Sequence, residues 1–112
     1  MKNIIFLSLL ALSTGAFANT YSLKCVASYN AEKIVDTEVK LADKEQNSTF
    51  AKFDEFQFIL SSKGNNVIEL QFVDIYEPSR NYATAMLNGV GTYVELSIWR
   101  KDMLMETRCT LQ

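Results

Sequence analysis

An all-β domain is what this sequence predicts: a small antiparallel meander, closed into a barrel of seven or eight strands. Three observations point to it. Short runs of alternating polar and apolar residues follow one another from Tyr21 to Leu111, the period-2 pattern of strands with one buried and one wet face. Compact links rich in Asn, Gly, Asp and Pro separate these runs, and such links join antiparallel neighbours. The only two cysteines, Cys25 and Cys109, fall on the apolar faces of the first and last runs. If they are bridged, the outermost strands pair and the meander shuts. A two-layer β-sandwich with the same bridge is the alternative.

The first eighteen residues read as an export signal, separate from the folded domain that begins at Asn19. Lys2 is the positive start, Ile4 to Leu12 the apolar stretch, and Ala16-Phe17-Ala18 the small-residue cleavage site. The apolar stretch of about nine residues is too short to cross the roughly 30 Å of a bilayer core. A buried N-terminal helix is the structural alternative. A second apolar stretch of membrane-spanning length does not occur in the sequence. Residues 19–112 are therefore expected to form a single exported domain, periplasmic or secreted, with no transmembrane segment.

The first strand places Tyr21, Leu23, Cys25, Ala27 and Tyr29 on one side. After the polar turn Asn30-Ala31-Glu32, residues from Lys33 to Ala42 alternate most clearly, with Val35, Thr37, Val39 and Leu41 opposite Asp36, Glu38 and Lys40. Asp43 to Thr49 reads as a polar loop. From Glu55 to Ser62, Phe56, Phe58 and Leu60 share a face; Ser61 to Asn66 supplies Gly64 and two asparagines for a turn. Val67 to Tyr76 then aligns Ile68, Leu70, Phe72 and Tyr76, completing a hairpin. Glu77-Pro78-Ser79-Arg80 is a turn built on the only proline. Asn81 to Asn88 is a weaker strand carrying Ala83 and Ala85. Beyond the Asn88-Gly89-Val90-Gly91 turn, Thr92 to Arg100 buries Val94, Leu96 and Ile98. Lys101-Asp102 separates it from the last strand, where Met103, Met105, Thr107, Cys109 and Leu111 face inward.

Two cysteines in a small exported chain read as a disulfide, Cys25 to Cys109. It would close a loop of roughly 85 residues, for which the chain-entropy picture gives about 4 to 5 kcal/mol. Two buried thiols are the alternative.

The chain has no histidine, which removes Ser-His and Cys-His nucleophilic pairs, an imidazole base and any histidine-containing zinc site. With the cysteines bridged, thiol catalysis and thiolate ligation go as well, so neither a metal nor a cofactor is expected and the chain reads as a non-enzyme. The carboxylate pairs Asp54 with Glu55, Asp36 with Glu38 and Asp74 with Glu77 read as solvated surface. Asp74 alone falls on an apolar face, where an unpaired carboxylate is costly. It is expected to meet a loop amide, the mouth of the barrel, or Arg80, either capping the strand end or anchoring a ligand. Against 13 acids the 11 cations are evenly scattered, for a formal net charge of −2. No basic patch collects phosphates, so nucleic acid is not an expected partner. Asn47-Ser48-Thr49 matches the N-glycosylation pattern, which bears only on a eukaryotic source; the very short signal favours a bacterial one.

Tyr93 and Trp99 point away from Val94, Leu96 and Ile98, and outward aromatics can form protein-contact patches, although six residues along a strand set these two roughly 20 Å apart, too far to form one cluster alone. An indole packed under a loop is the plainer account of Trp99. Tyr76, Arg80 and Tyr82 form a second candidate surface, a guanidinium between two phenols, with an ordinary polar turn as its plainer account. The terminal cysteines, the small barrel and Trp99-Arg100-Lys101 resemble periplasmic lysozyme inhibitors of the membrane-bound C type. The resemblance covers only the chain ends and that tripeptide, and the Ser-Gly-x-x-Tyr loop of those inhibitors is missing, so it carries over no site residue. The expectation is a non-catalytic binding or inhibitor-type module for an envelope or extracellular protein. A carrier of a small hydrophobic ligand and a structural or assembly component of the envelope are the alternatives.

Overall fold

Eight strands run in succession: β1 (Thr20–Tyr29), β2 (Glu32–Ala42), β3 (Gln46–Lys52), β4 (Phe56–Gly64), β5 (Val67–Asp74), β6 (Arg80–Met86), β7 (Tyr93–Arg100) and β8 (Met103–Leu111). The structure is a computed structural model that describes residues 20–74 and 80–112; the expected export signal and the Pro78 turn lie outside them. The strands form two four-stranded antiparallel sheets, in the orders β2-β1-β8-β7 and β3-β4-β5-β6. β1 and β8 pair in register with Cys25 opposite Cys109, and those two cysteines form a disulfide. Start and end of the described chain are thus joined by both a ladder and a covalent bond.

The expected closed barrel is not what forms. Among the described residues no ladder joins β2 to β3 or β6 to β7, although the members of each pair lie side by side. The architecture is sandwich-like, with the two sheets packed face to face. A reason lies in the interior. Leu23, Leu41, Leu60, Ile68, Leu70, Phe58, Phe72 and Met105 are all fully buried. Side chains of this size interdigitate across two facing sheets about 10 Å apart, whereas a round shell of eight strands must arrange them about one axis.

The core has two parts. Around the disulfide, Leu23, Val39, Leu41, Leu60, Leu70 and Val94 pack together. Toward the other end, Ala27, Val35, Phe58, Phe72, Ile98 and Met105 form a second cluster, where the Phe58 and Phe72 rings lie 5.5 Å apart. Each of these residues follows from strand alternation.

Two links are two-residue hairpin turns with positive φ at both central positions. Asn30 and Ala31 stand at 50° and 72°, Asn65 and Asn66 at 57° and 66°. Such mirror-image turns match the right-handed twist of the strands they join. In the second hairpin β4 runs on to Gly64, itself at φ 87°. The expected turn over Ser61 to Asn66 is therefore shorter, and Ser61 and Ser62 are buried strand residues.

The segment expected to be a polar loop, Asp43 to Thr49, contains most of β3. Gln46 to Lys52 pairs antiparallel with β4, with a bulge between Thr49 and Ala51. The pairing escapes the hydrophobic pattern because the first inward residue is Ser48 and the next, Phe50, lies at the bulge. An edge strand this polar is also one way that sheets avoid adding further chains.

Asp74 finds its partner across the sandwich. Arg100 Nη1 on β7 donates to Asp74 Oδ2 at 2.6 Å, and both side chains are mostly buried. Arg100 is thus a partner that the strand pattern did not name, while the side chain of Arg80 and the loop after Asp74 lie outside the described residues. Reading β5 alone could not find it, because Arg100 is distant in sequence and adjacent only once the layers stack. At the opposite end of β5, the Tyr21 hydroxyl donates to the Asn66 side-chain oxygen, tying the first strand to the turn of the other sheet.

Candidate functional site

The two outer faces differ in chemistry. On the β2-β1-β8-β7 sheet, alternation sends Lys24, Asp36, Glu38, Lys40, Glu95, Glu106 and Arg108 to solvent. Asp36 accepts from Lys33 at 3.0 Å and faces Lys24 at 3.2 Å. Its hydrogen bonds to Lys33 and then Lys24 hold its carboxyl below the ordinary value of 3.8. Arg108 donates twice to Glu95, at 2.8 and 3.2 Å, and this hydrogen bond raises the arginine's pKa above its ordinary value. These charges are exposed and largely satisfied by one another, the pattern of a solvated face. Asp36 and Glu38 thus have ion-pair and hydrogen-bond partners, Glu38 accepting from the Ser22 hydroxyl. Asp54 and Glu55 sit exposed in the bend between β3 and β4.

Exposed large apolar side chains also stand out, two of them, Tyr93 and Trp99, on the same outward face of β7 as Glu95. Among the described residues the full set is Tyr29, Phe53, Tyr82, Met86, Val90, Tyr93 and Trp99. Five of the seven come from β6, β7 and the link between them. Trp99 is 80% exposed and Val90 81%, so the indole is not packed under a loop of the described chain. Tyr93 is only partly available, since the Arg108 guanidinium lies 4.2 Å over its ring in a cation–π contact. Tyr82 stands on β6 at 60% exposure. Tyr76 and the side chain of Arg80 lie outside the described residues.

β6 and β7 flank the seam where the two sheets stay unladdered. Tyr82 on β6 and Tyr93 and Trp99 on β7 thus stand on the two strands that flank this seam, with Met86 on β6 and Val90 in the link between them. Sequence reading passed over those two, although Val90 between Gly89 and Gly91 was the available signal: an apolar side chain at a turn apex has nothing local to cover it. Comparison with family models, with curated proteins and with solved structures finds no match.

The outer face of the β3-β4-β5-β6 sheet is mostly uncharged. A hollow of about 540 Å³ opens there, lined by Asn47, Thr49, Ile59, Lys63, Gln71 and Val73. Gln71, only 5% exposed, donates to Ser61 Oγ at 3.3 Å and to Glu69 Oε1 at 2.9 Å, and Lys63 pairs with Glu69 at 3.4 Å. Nothing in the alternation pattern marks this hollow, because its floor is polar and belongs to an outward face.

Proposed function

We propose that this chain is an exported, non-catalytic module that binds a protein partner along its β6–β7 margin. One observation carries the reading: exposed large apolar side chains concentrate on β6, β7 and the link between them, while the rest of the β2-β1-β8-β7 outer face is charged and internally paired. Exposed apolar side chains rimmed by polar residues are what protein contacts use, and Trp and Tyr carry much of the energy of such contacts. Export is supported by the oxidised Cys25–Cys109 pair. Among the described residues no helix is long and apolar enough to cross a membrane. The sites assigned to the partner are Trp99, Tyr82 and Tyr93, with Met86 and Val90 beside them. The carrier reading has less support, since Phe58, Phe72, Leu60 and Leu70 fill the space between the sheets.

The test is site-specific crosslinking in the producing cell's envelope. A photoreactive side chain at position 99 is expected to capture one defined protein, and one at position 40, on the charged face, to capture none. Trp99→Ala should weaken the purified complex by tenfold or more, about 1.4 kcal/mol, without shifting the melting temperature. Equal capture from both positions, or an unaffected complex, rejects the reading.

A further inference from the structure

We propose that the outer face of the β3-β4-β5-β6 sheet is a carbohydrate-binding site that takes a neutral oligosaccharide and shares only Tyr82 with the partner margin around Trp99. Cross-strand register aligns Thr49, Ile59, Gln71 and Tyr82 in one row across all four strands. The hollow of about 540 Å³ covers three of them and falls within the size of small-ligand sites, roughly 300 to 1,000 Å³.

Its chemistry disfavours anionic and apolar ligands in turn. The Lys63 ammonium is neutralised by Glu69 at 3.4 Å, so no net charge remains to hold a phosphate or carboxylate. An apolar ligand would desolvate the Asn47 amide and the Thr49 hydroxyl without replacing their hydrogen bonds, which is costly. Both groups are exposed on β3, and each can donate as well as accept. A ligand rich in hydroxyl groups matches that inventory. The walls supply the rest: Ile59 and Val73 offer apolar surface to the C–H faces of sugar rings. Tyr82, beside Gln71 in the row and 60% exposed, offers an aromatic face at the edge. The face is also firmly built, since Gln71 and Ser61 are buried and hydrogen-bonded to each other, a preorganised floor that lowers the ordering cost of binding.

The experiment titrates the oxidised protein with maltotetraose, cellotetraose and tetra-N-acetylchitotetraose, following backbone amides by NMR. At least one sugar is expected to give saturable shifts at Thr49, Gln71 and Tyr82. Tyr82→Ala and Thr49→Val should each weaken that binding about tenfold, while Trp99→Ala leaves it unchanged; Asn47→Ala serves as a third reading if either variant loses the native amide pattern. Failure of all three sugars to saturate at millimolar concentration overturns the proposal. So do shifts centred on β7, or tighter binding of decanoate than of any sugar at this face. A Trp99→Ala protein that loses its protein partner but keeps the sugar separates this site from the proposed partner margin.

Discussion

Thr107 sits on the inner face of β8, in register with Ala27 on one side and Leu96 on the other, and its hydroxyl has no hydrogen-bond partner among the described residues. A buried hydroxyl without a partner carries a desolvation cost that a methyl group of the same shape avoids. Thr107→Val is accordingly expected to raise the unfolding free energy by about 1 kcal/mol, read as a higher urea midpoint with an unchanged slope. Ala31 has a different local problem: it holds φ at 72° in the first hairpin turn. An L-residue there costs about 1 to 2 kcal/mol, partly offset because glycine loses about 0.4 to 1 kcal/mol more chain entropy on folding. Ala31→Gly should therefore be mildly stabilising, by about 0.5 kcal/mol, and a lower melting temperature would contradict that accounting. Neither effect is visible from residue type alone. Thr107 matches the inward alternation of its strand, and Ala31 looks like any small turn residue.

At the scale of the element, β3 shows how a strand forms without a hydrophobic pattern of its own. Its inward contribution rests largely on Phe50, half-buried, which stacks on Phe58 at 5.7 Å and touches both parts of the core. Partial burial places the cost of Phe50→Ala below that of a fully buried ring, at about 2 kcal/mol. Hydrogen exchange should localise the damage, with β3 amides losing protection while the β1–β8 ladder keeps it. Uniform loss across both sheets would mean that β3 and the disulfide-bearing sheet unfold as one unit. The hairpins behave in the opposite way. Asn65 and Asn66 announce their turn in the sequence because few residues tolerate positive φ, and β4 and β5 pair as read.

For the molecule as a whole, the main constraint is the bond between its first and last strands. Cys25 and Cys109 are 84 residues apart, and a loop of that length removes about 4 to 5 kcal/mol of chain entropy from the unfolded state. An ordinary small domain has a net stability of about 5 to 15 kcal/mol. Reduction, or the double change Cys25→Ala with Cys109→Ala, is expected to remove a large share of stability and to lower the denaturant midpoint steeply. A midpoint that barely moves under reductant would show that the β1–β8 ladder suffices without its covalent link. The seams at β2/β3 and β6/β7 are whole-molecule features too. They set where unpaired edges and exposed aromatics coincide, and so where the proposed partner margin lies.

Strand alternation and the positions of two cysteines were enough to determine seven of the strands, most of their inward residues (Tyr29, read as inward, is exposed), and the joining of the first strand to the last. Both signals are carried within single strands or by one covalent pair, so they survive without knowledge of the neighbours. Which strand lies across from which is a different kind of fact. The partition into two sheets, the meeting of Asp74 with Arg100, the strand built on Phe50, and the hollow over Gln71 each depend on side chains far apart in sequence. The tertiary structure decides them because packing two filled faces together selects among closures that alternation leaves equivalent.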